Sequence, residues 1–443
     1  MYRQAQIEAL LSNRRILIAG YGREGKSTHA LLQKVVPQTF VEVACNDEEI
    51  FACLKRSEEG NRPYDLIIKS PGISTMKFEG RCNLDTITSQ TDLFLQVFGD
   101  LTVGITGTKG KSTTTTLTHH ILSTAFGEKR HIILAGNMGI PLFDILDQID
   151  EDAIVVAEFS CHQLENIHRA PHIGVILNLY QEHLDHYHDY LGYQMAKMQM
   201  MLRQHEGSHC FYCTDCQDLT ALVASLNLRC SSVLHPYSLR DALEAKMDHL
   251  PTTLKGCHNL SNIYVARQMT ALLGVSDSQF AEALATFQGL PHRLEYVGTF
   301  RGITFYNDSI STIPEACIAA VEALQKVDTL ILGGFDRGID YSPLSAYLSD
   351  TTKAGSHVHN IVFVGAAGKR MKCEWERLSS NPLNGRNILE ESDYRSIVAW
   401  CYQSTAHGCI CLLSPAAASY DAFKNFEERG RLYKEYILEY NKA

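Results

Sequence analysis

Short apolar runs alternate with amphipathic stretches along the chain. RILIAG, DLIIKSPG, LTVGITG, HIILAGN, AIVVAEFS, GVILNLY, TLILGG, NIVFVG and ICLLSP are each brief, apolar and followed by a Gly, Ser, Asn or Tyr turn. Helix-like segments lie between most of them, and strands alternating with helices make parallel sheets of the α/β class. There are more strands than one sheet comfortably holds, so several α/β units follow in series. The first opens at Arg14 and ends near Gly99–Asp100, the second opens at Leu101, and the third follows the GLPHRLE stretch, Gly289 to Glu295. The expected architecture is three α/β domains in series. Residues 1–100 form an N-terminal Rossmann-like domain, 101–293 a central parallel sheet of the P-loop ATPase kind, and 294–443 a C-terminal Rossmann-like domain. No internal repeat, low-complexity tract or long linker interrupts the pattern.

Composition narrows the classes of function. The 443 residues suit two to four domains. An apolar fraction of 45% and a charged fraction of 20% are ordinary globular values. The net charge of −10, from 40 basic and 50 acidic residues, argues against non-specific binding to nucleic acid or anionic membrane. It leaves room for anionic small ligands, which need only a local cationic pocket. No stretch reaches the ~18 apolar residues of a membrane span, and MYRQAQIEALLSNRR has no apolar signal core. A cytoplasmic monomer acting on small molecules is expected, with no membrane insertion. The 14 cysteines are scattered through strand-like and helix-like segments and read as free, packed thiols.

The strongest local motif is Thr106-Gly107-Thr108-Lys109-Gly110-Lys111-Ser112-Thr113-Thr114, between the apolar run Leu101–Ile105 and a helix-like stretch. Glycines let backbone N–H groups wrap phosphates, and the following helix N-terminus favours negative charge. Lys111 would reach the terminal phosphates and Ser112 would ligate Mg²⁺. The general GxxxxGK spacing would need glycine where Ile105 stands, so the loop is a variant; the bland alternative is a Gly/Ser/Thr-rich turn. Gly20-Tyr21-Gly22-Arg23-Glu24-Gly25 after RILIA has the GxGxxG spacing of a nucleotide site, with Phe40 to Val43 as the next strand and Asp47 where a ribose-binding acid would stand. A turn that only packs helix against sheet gives the same spacing. Glu158 after AIVVA, and His183 and Asp185 after GVILNLYQE, stand at strand carboxyl ends, where ligands of open α/β sheets bind. Glu158 fits a hard cation such as Mg²⁺. His186 and His188 read as surface residues. Cys210, Cys213 and Cys216 share a CxxCxxC spacing that lacks an evident fourth ligand apart from the adjoining His209, and HCFYC also reads as a strand.

These motifs, in this order, resemble the Mur ligase family, and within it the glutamate-adding branch. The resemblance runs from DLIIKSPGIS to FKNFEERG through TGTKGKSTT, AGNMGIP, EFSCHQLE, LNLYQEHLDHY, HNLSNIYVA, GLPHRLE, NDSISTIPEA, LILGGFDRGIDYSPL and LLSPAAASYDAFKNFEERG. It implies an ATP-dependent ligase that joins glutamate to UDP-N-acetylmuramoyl-L-alanine through an acyl phosphate, with two Mg²⁺ ions. By the same resemblance Gly107, Thr108, Lys109, Gly110, Lys111, Ser112 and Thr113 hold the ATP phosphates. Ser112, Glu158, His183 and Lys197 surround the metals, with Lys197 carried as a carbamate after reaction with CO₂. Read alone, Lys197 is a solvated helix lysine. Asn259 and Asn262 match adenine-side contacts, and Arg293 and Asp308 match residues that bring the third domain onto ATP. Gly22, Arg23 and Ser27 would take the uridine diphosphate; Asn137, Ser160 and Gln163 line the muramoyl-peptide side; Thr312, Arg337, Ser419 and Phe426 match the glutamate pocket.

Two departures stand in that pocket. NDSISTIP has Ile310 where the family carries lysine and Ile313 where it carries asparagine. The family lysine of the LGG loop is Arg337, which can still clamp a carboxylate. The loop loses one cation and one amide; D-glutamate is expected on the family default, with L-glutamate as the alternative. A folate-type polyglutamate ligase fits less well, since it would not need the unit from Arg14 to Gly99. A non-catalytic nucleotide sensor fits less well because Lys111, Glu158, His183 and Lys197 are all retained.

Overall fold

Every one of the apolar runs named above forms a strand in the computed structural model, which describes residues 2–138, 140–378 and 381–442. The strands are β1 (Arg15–Ala19), β2 (Phe40–Ala44), β3 (Leu66–Lys69), β4 (Ile87–Thr88), β5 (Thr102–Thr106), β6 (Ile132–Gly136), β7 (Ile154–Glu158) and β8 (Ile173–Ile176). They continue with β9 (His209–Cys213), β10 (Val233–Tyr237), β11 (Glu295–Phe300), β12 (Ile303–Asn307), β13 (Val327–Gly333), β14 (Asn360–Val364), β15 (Asn387–Glu390) and β16 (Ile410–Leu413). They build three sheets, in the orders β2-β1-β3-β4, β10-β9-β8-β5-β7-β6 and β11-β12-β16-β13-β14-β15. The first two are wholly parallel; the third is parallel except for the antiparallel pair β11–β12.

The continuous apolar character of the runs has a simple cause. Side chains alternate faces along a strand, and here both faces are covered. In β1, Ile16 and Ile18 enter a core shared with the central sheet, where Phe94, Val155 and Met198 lie, while Leu17 and Ala19 pack with Ile50, Leu54 and Phe78 on the other face. In β13, Leu330 and Leu332 likewise face one core and Ile331 the opposite one. A strand buried on both sides has no polar face to show.

The chain divides into two compact units. One comprises residues 1–251 and 257–285 and carries the first two sheets; the other comprises 252–256 and 286–443 and carries the third. Two strand features escape the periodicity. β10 is an edge strand containing Pro236, and an edge tolerates a residue that cannot donate to the ladder. β11 and β12 are joined by Arg301 and Gly302, with φ of 48° and 78°. Positive φ at both central residues is what a two-residue hairpin needs to match strand twist. No described helix is long and apolar enough to cross a membrane.

Candidate active site

β5 lies between β7 and β8, so the loops leaving the carboxyl ends of these three strands meet where the order of the central sheet reverses. The phosphate-loop candidate follows β5 and runs into helix Lys111–Phe126. Gly110 caps that helix with φ 85°, a left-handed conformation that glycine adopts without a Cβ penalty. Asn178, at the end of β8, holds the loop open. Its Oδ1 accepts from the backbone N–H groups of Thr108 (3.1 Å) and Lys109 (2.8 Å), and its Nδ2 donates to the Lys109 carbonyl (3.0 Å). The Thr108 hydroxyl meets Tyr193 Oη at 2.7 Å and accepts from the Tyr180 N–H at 2.8 Å. Lys111 Nζ folds back onto the Thr108 carbonyl at 2.8 Å. Ser112 and Thr113 lie in the first turn, where orphan N–H groups and the helix dipole favour an anion. Asn259 and Asn262, buried on helix Cys257–Leu272, flank this loop: a Cβ at Gly110 would come within 3.1 Å of Asn262 Oδ1.

Glu158 ends β7. Its Oε1 accepts from Asn137 Nδ2 at 2.7 Å, while Oε2 is buried without a hydrogen-bond partner. A buried carboxylate oxygen without a donor is costly unless a cation meets it, so the donor set fits Mg²⁺, which prefers oxygen. Lys197, on helix Tyr190–Leu202, is 2% exposed; its Nζ donates to the Gly107 carbonyl at 2.9 Å and stands 5.1 Å from the Tyr193 ring centre. Burial lowers its pKa to about 8; the charge of Lys111 acts the same way, and Cys161, Glu182 and Glu158 oppose it. Lys111, Glu158, Cys161 and Lys197 therefore surround one region. His183 lies in the loop after β8 with φ 57°, a left-handed conformation that is uncommon outside glycine. Its ring centre is 4.7 Å from that of His162. Burial, reinforced by the neighbouring His186 and His183, pushes His162 down to about 3. His186 is not a surface residue. The turn closed by bonds from the His186 and Tyr187 N–H groups to the His183 carbonyl folds the segment inward and sets His186 Nε2 3.1 Å from Glu165. His188 is exposed, beside Glu79.

The first sheet reverses its order at β1 and β3. A cavity of about 440 Å³ opens there, lined by Gly20, Gly22, Arg23, Ser70, Gly72 and Asn137 among others. Gly25 is needed for packing rather than for ligand approach: a Cβ there would lie 2.1 Å from the Gly20 carbonyl oxygen. Gly22 faces open space. Ser27 does not line the cavity; its hydroxyl is bonded to Asp144, and Gln90 Nε2 donates to it at 3.1 Å. Asp47 is also turned elsewhere, 2.6 Å from Lys77. Ser160 and Gln163 form a reciprocal cap of helix Cys161–Leu164, and Gln163 Nε2 donates to Glu24 Oε1 at 2.7 Å. Burial raises the Glu24 pKa. Beneath them Lys69 and Glu165 pair at 2.7 Å, 1% and 8% exposed. Burial works against the Glu165 charge, but His186 and Lys69 outweigh it and hold the carboxyl at about 2. A larger hollow of about 730 Å³, near Arg130, His131 and Asp150, contains none of the candidate residues.

In the second unit the loops after β12, β16 and β13 leave adjacent strands. Asp308 is 2% exposed; Ser414 Oγ donates to it at 2.7 Å and the Leu294 N–H at 3.1 Å. Burial raises its pKa to about 6, against these bonds and the charge of the exposed Arg293. Arg337 Nη2 donates to the Thr312 carbonyl at 2.7 Å, which joins two of the four glutamate-pocket candidates. Ser419 is buried, and Phe426 opens helix Phe426–Lys442 with its carbonyl accepting from Ser309 Oγ at 2.9 Å. The buried Arg429 ties these loops together by donating to the carbonyls of Ser309, Ala417 and Ala418. Cys210, Cys213 and Cys216 serve strand β9 and the turn after it, and they do not converge as ligands.

A model of the Mur ligase middle domain matches residues 105–269. The UDP-N-acetylmuramoylalanine--D-glutamate ligase of Geotalea uraniireducens (strain Rf4) is 31% identical, covering 84% of this chain and 83% of that protein. The protein of the same name from Koribacter versatilis (strain Ellin345) is 30% identical over 96% and 97%. The chain belongs to the Mur ligase family. The fold agrees: the structure of UDP-N-acetylmuramoyl-L-alanyl-D-glutamate--2,6-diaminopimelate ligase aligns with a TM-score of 0.57 at 14% identity, covering 97% of this chain and 92% of that one. A MurF ligase from Thermotoga maritima in complex with ADP aligns at 0.53, also with 14% identity, covering 98% and 97%. Sequence reasoning singled out neither Glu24, Lys69, Glu165, Asn178 and Tyr193 in the first unit nor Arg429 in the second, although most of them lie inside quoted motifs. Asn178 had the nearest thing to a signal, an amide at a strand's carboxyl end inside LNLYQEH.

Proposed function

We propose that this Mur ligase uses ATP to add D-glutamate to UDP-N-acetylmuramoyl-L-alanine, a step of peptidoglycan precursor synthesis. The observation that carries the reading is the near full-length match to ligases of that name. The three sheets are taken as three domains, residues 1–100, 101–293 and 294–443. The first would bind the nucleotide precursor in the cavity beside Gly22 and Arg23, the second ATP, and the third glutamate near Thr312, Arg337, Ser419 and Phe426. Asn137 would meet the acyl end of the precursor, a role supported by its position beside both the cavity and Glu158.

The chemistry is carboxylate activation. The L-alanyl carboxylate oxygen attacks the γ-phosphorus of ATP, the bond to the β-phosphate oxygen breaks, and ADP leaves. The amine of glutamate then attacks the acyl phosphate, loses a proton and expels phosphate, leaving an amide. The loop amides and Lys111 would hold the phosphates in line, so most of the rate enhancement comes from positioning and fixed charge. Ser112, Glu158, His183 and carbamylated Lys197 would hold two Mg²⁺ ions, whose charge would offset that building on the phosphoryl oxygens. A lysine lowered to about 8 by burial suits carbamate formation, because only the neutral amine attacks CO₂.

The test is phosphate release with UDP-N-acetylmuramoyl-L-alanine and D-glutamate, L-glutamate or other amino acids, followed by competition between the two glutamates and chiral analysis. D product is expected. Predominantly L product would overturn the isomer; ligation of a diamino acid would overturn the glutamate pocket.

A further inference from the structure

The helix that follows Glu158 carries two side chains to which the ligase chemistry assigns no role. Cys161 is 2% exposed, and His162 brings a ring whose Nε2 is buried without a hydrogen-bond partner. The left-handed turn at His183 swings a second imidazole toward them. The ligand atoms of Cys161, His162 and His183 all lie within 4.8 Å of one another. Among the described residues this is the one group of three or more His, Cys, Asp or Glu side chains that is gathered so closely.

We propose that Cys161, His162 and His183 bind a soft divalent cation of the zinc class beside the phosphate loop. The donor set is one sulfur and two nitrogens. Mg²⁺ takes oxygen ligands and keeps its waters, so these three atoms are poorly suited to it. Zn²⁺ takes thiolate and imidazole readily, and imidazole and thiolate sites hold late first-row metals far more tightly than Mg²⁺. Around zinc, bond lengths of about 2.0–2.3 Å place tetrahedral ligand atoms roughly 3.3–3.6 Å apart. Closing from the observed spread of up to 4.8 Å falls to the His183 side chain, which is 46% exposed, while Cys161 and His162 are held by packing. Three protein ligands leave a fourth position for water or a substrate oxygen. Cys161 also lies within electrostatic reach of Lys197, so a cation here sits at the reacting end of the site. Its binding requires only these three side chains, so a zinc-class ion here competes for His183 with the Mg²⁺ that the ligase reading assigns to it. A binding measurement without turnover therefore separates the two.

The experiment titrates Co²⁺ as a spectroscopic stand-in into the metal-free, reduced full-length protein. One equivalent should give a thiolate-to-cobalt charge-transfer band in the near ultraviolet and tetrahedral bands in the visible, both removed by Zn²⁺. Cys161→Ser should lose the charge-transfer band, and His162→Gln and His183→Gln should each weaken Zn²⁺ binding by at least ~100-fold. Exposed Cys45, Cys257 and Cys373 could bind cobalt adventitiously; Cys257→Ser and Cys373→Ser should leave the band in place. His183 is exposed, so its variant does not threaten the fold, and circular dichroism without metal checks the others. A wild type with no charge-transfer band, a band that survives Cys161→Ser, or Zn²⁺ binding unchanged in either His162→Gln or His183→Gln overturns the proposal.

Discussion

Lys197 offers the sharpest test of the proposed metal chemistry. With its pKa lowered to about 8, about a quarter of the amine is neutral at pH 7.5, against about one part in a thousand for a lysine at its ordinary 10.5, a gain of roughly 240-fold. Neutral amine is the species that adds to CO₂, and losing a proton on addition turns a buried cation into an anion within reach of the charges of Lys111 and Glu158. Lys197→Ala removes that anion and should cost at least ~10²-fold in kcat, the scale of one lost preorganised charge at a phosphoryl-transfer centre. A short carboxylate such as formate fits the vacated space and should restore part of the loss, which simple misfolding would not allow. At fixed dissolved CO₂, the rate at which the wild type takes up CO₂ should fall about 24-fold between pH 7.5 and pH 6, as the neutral fraction falls from about a quarter to about one hundredth. Isotopically labelled CO₂ followed by carbon NMR reads that uptake directly, with the labelled carbamate signal present in wild type and absent in Lys197→Ala. A folded Lys197→Ala enzyme with wild-type-like turnover would refute the reasoning.

The remaining predictions address the phosphate loop and two buried charges. Lys111→Ala should keep the fold and lose at least ~10²-fold in turnover, checked by circular dichroism with a phosphate-release assay; normal turnover would remove Lys111 from the mechanism. Lys69→Met leaves Glu165 buried without its cation and should destabilise the first unit by about 3–5 kcal/mol, read as a loss in urea midpoint; an unchanged midpoint would show the pair to be dispensable. Asp308 has its folded pKa raised from 3.8 to about 6, so its contribution to stability is fully present below pH 3.8 and is lost as pH rises through 6, about 3 kcal/mol in all. Asp308→Asn should therefore raise the thermal midpoint more at pH 8 than at pH 4 while impairing ligation; an equal shift at both values would contradict the assigned burial cost.

What the sequence discloses about this site follows from where each requirement lies along the chain. A phosphate loop is local: a strand, a glycine in left-handed conformation and a helix start are consecutive, so Gly107 to Ser112 stand out as a candidate even though Ile105 breaks the general spacing. Glu158 is nearly local, since a carboxylate at the end of an apolar run is placed by the sheet itself. Lys197 is the opposite case. Its helix neighbours, YQMAKMQM, give a lysine among methionines, and nothing there says that the amine will lie 2.9 Å from the Gly107 carbonyl, 90 residues away; only the family resemblance pointed to it. Asn178, Glu24 and the pair Lys69–Glu165 belong with Lys197. Each acts on a partner brought close by the sheets, and a polar residue that will be buried looks in sequence like one that will be solvated. Ser27 shows the converse. The family resemblance suggested a ligand contact for it, yet the helix turns it toward Asp144, because two residues past Gly25 the chain has already rotated off the face that meets the cavity. The zinc-class site combines both kinds of information: adjacency supplies Cys161 and His162, and the unusual backbone of His183 supplies the third ligand across the loop. His183→Gly keeps the left-handed turn, which glycine adopts without a Cβ penalty, and removes only the imidazole; it should therefore weaken metal binding by at least ~100-fold even though Cys161 and His162 remain, whereas a site built from the adjacent pair alone would bind as before and keep its charge-transfer band.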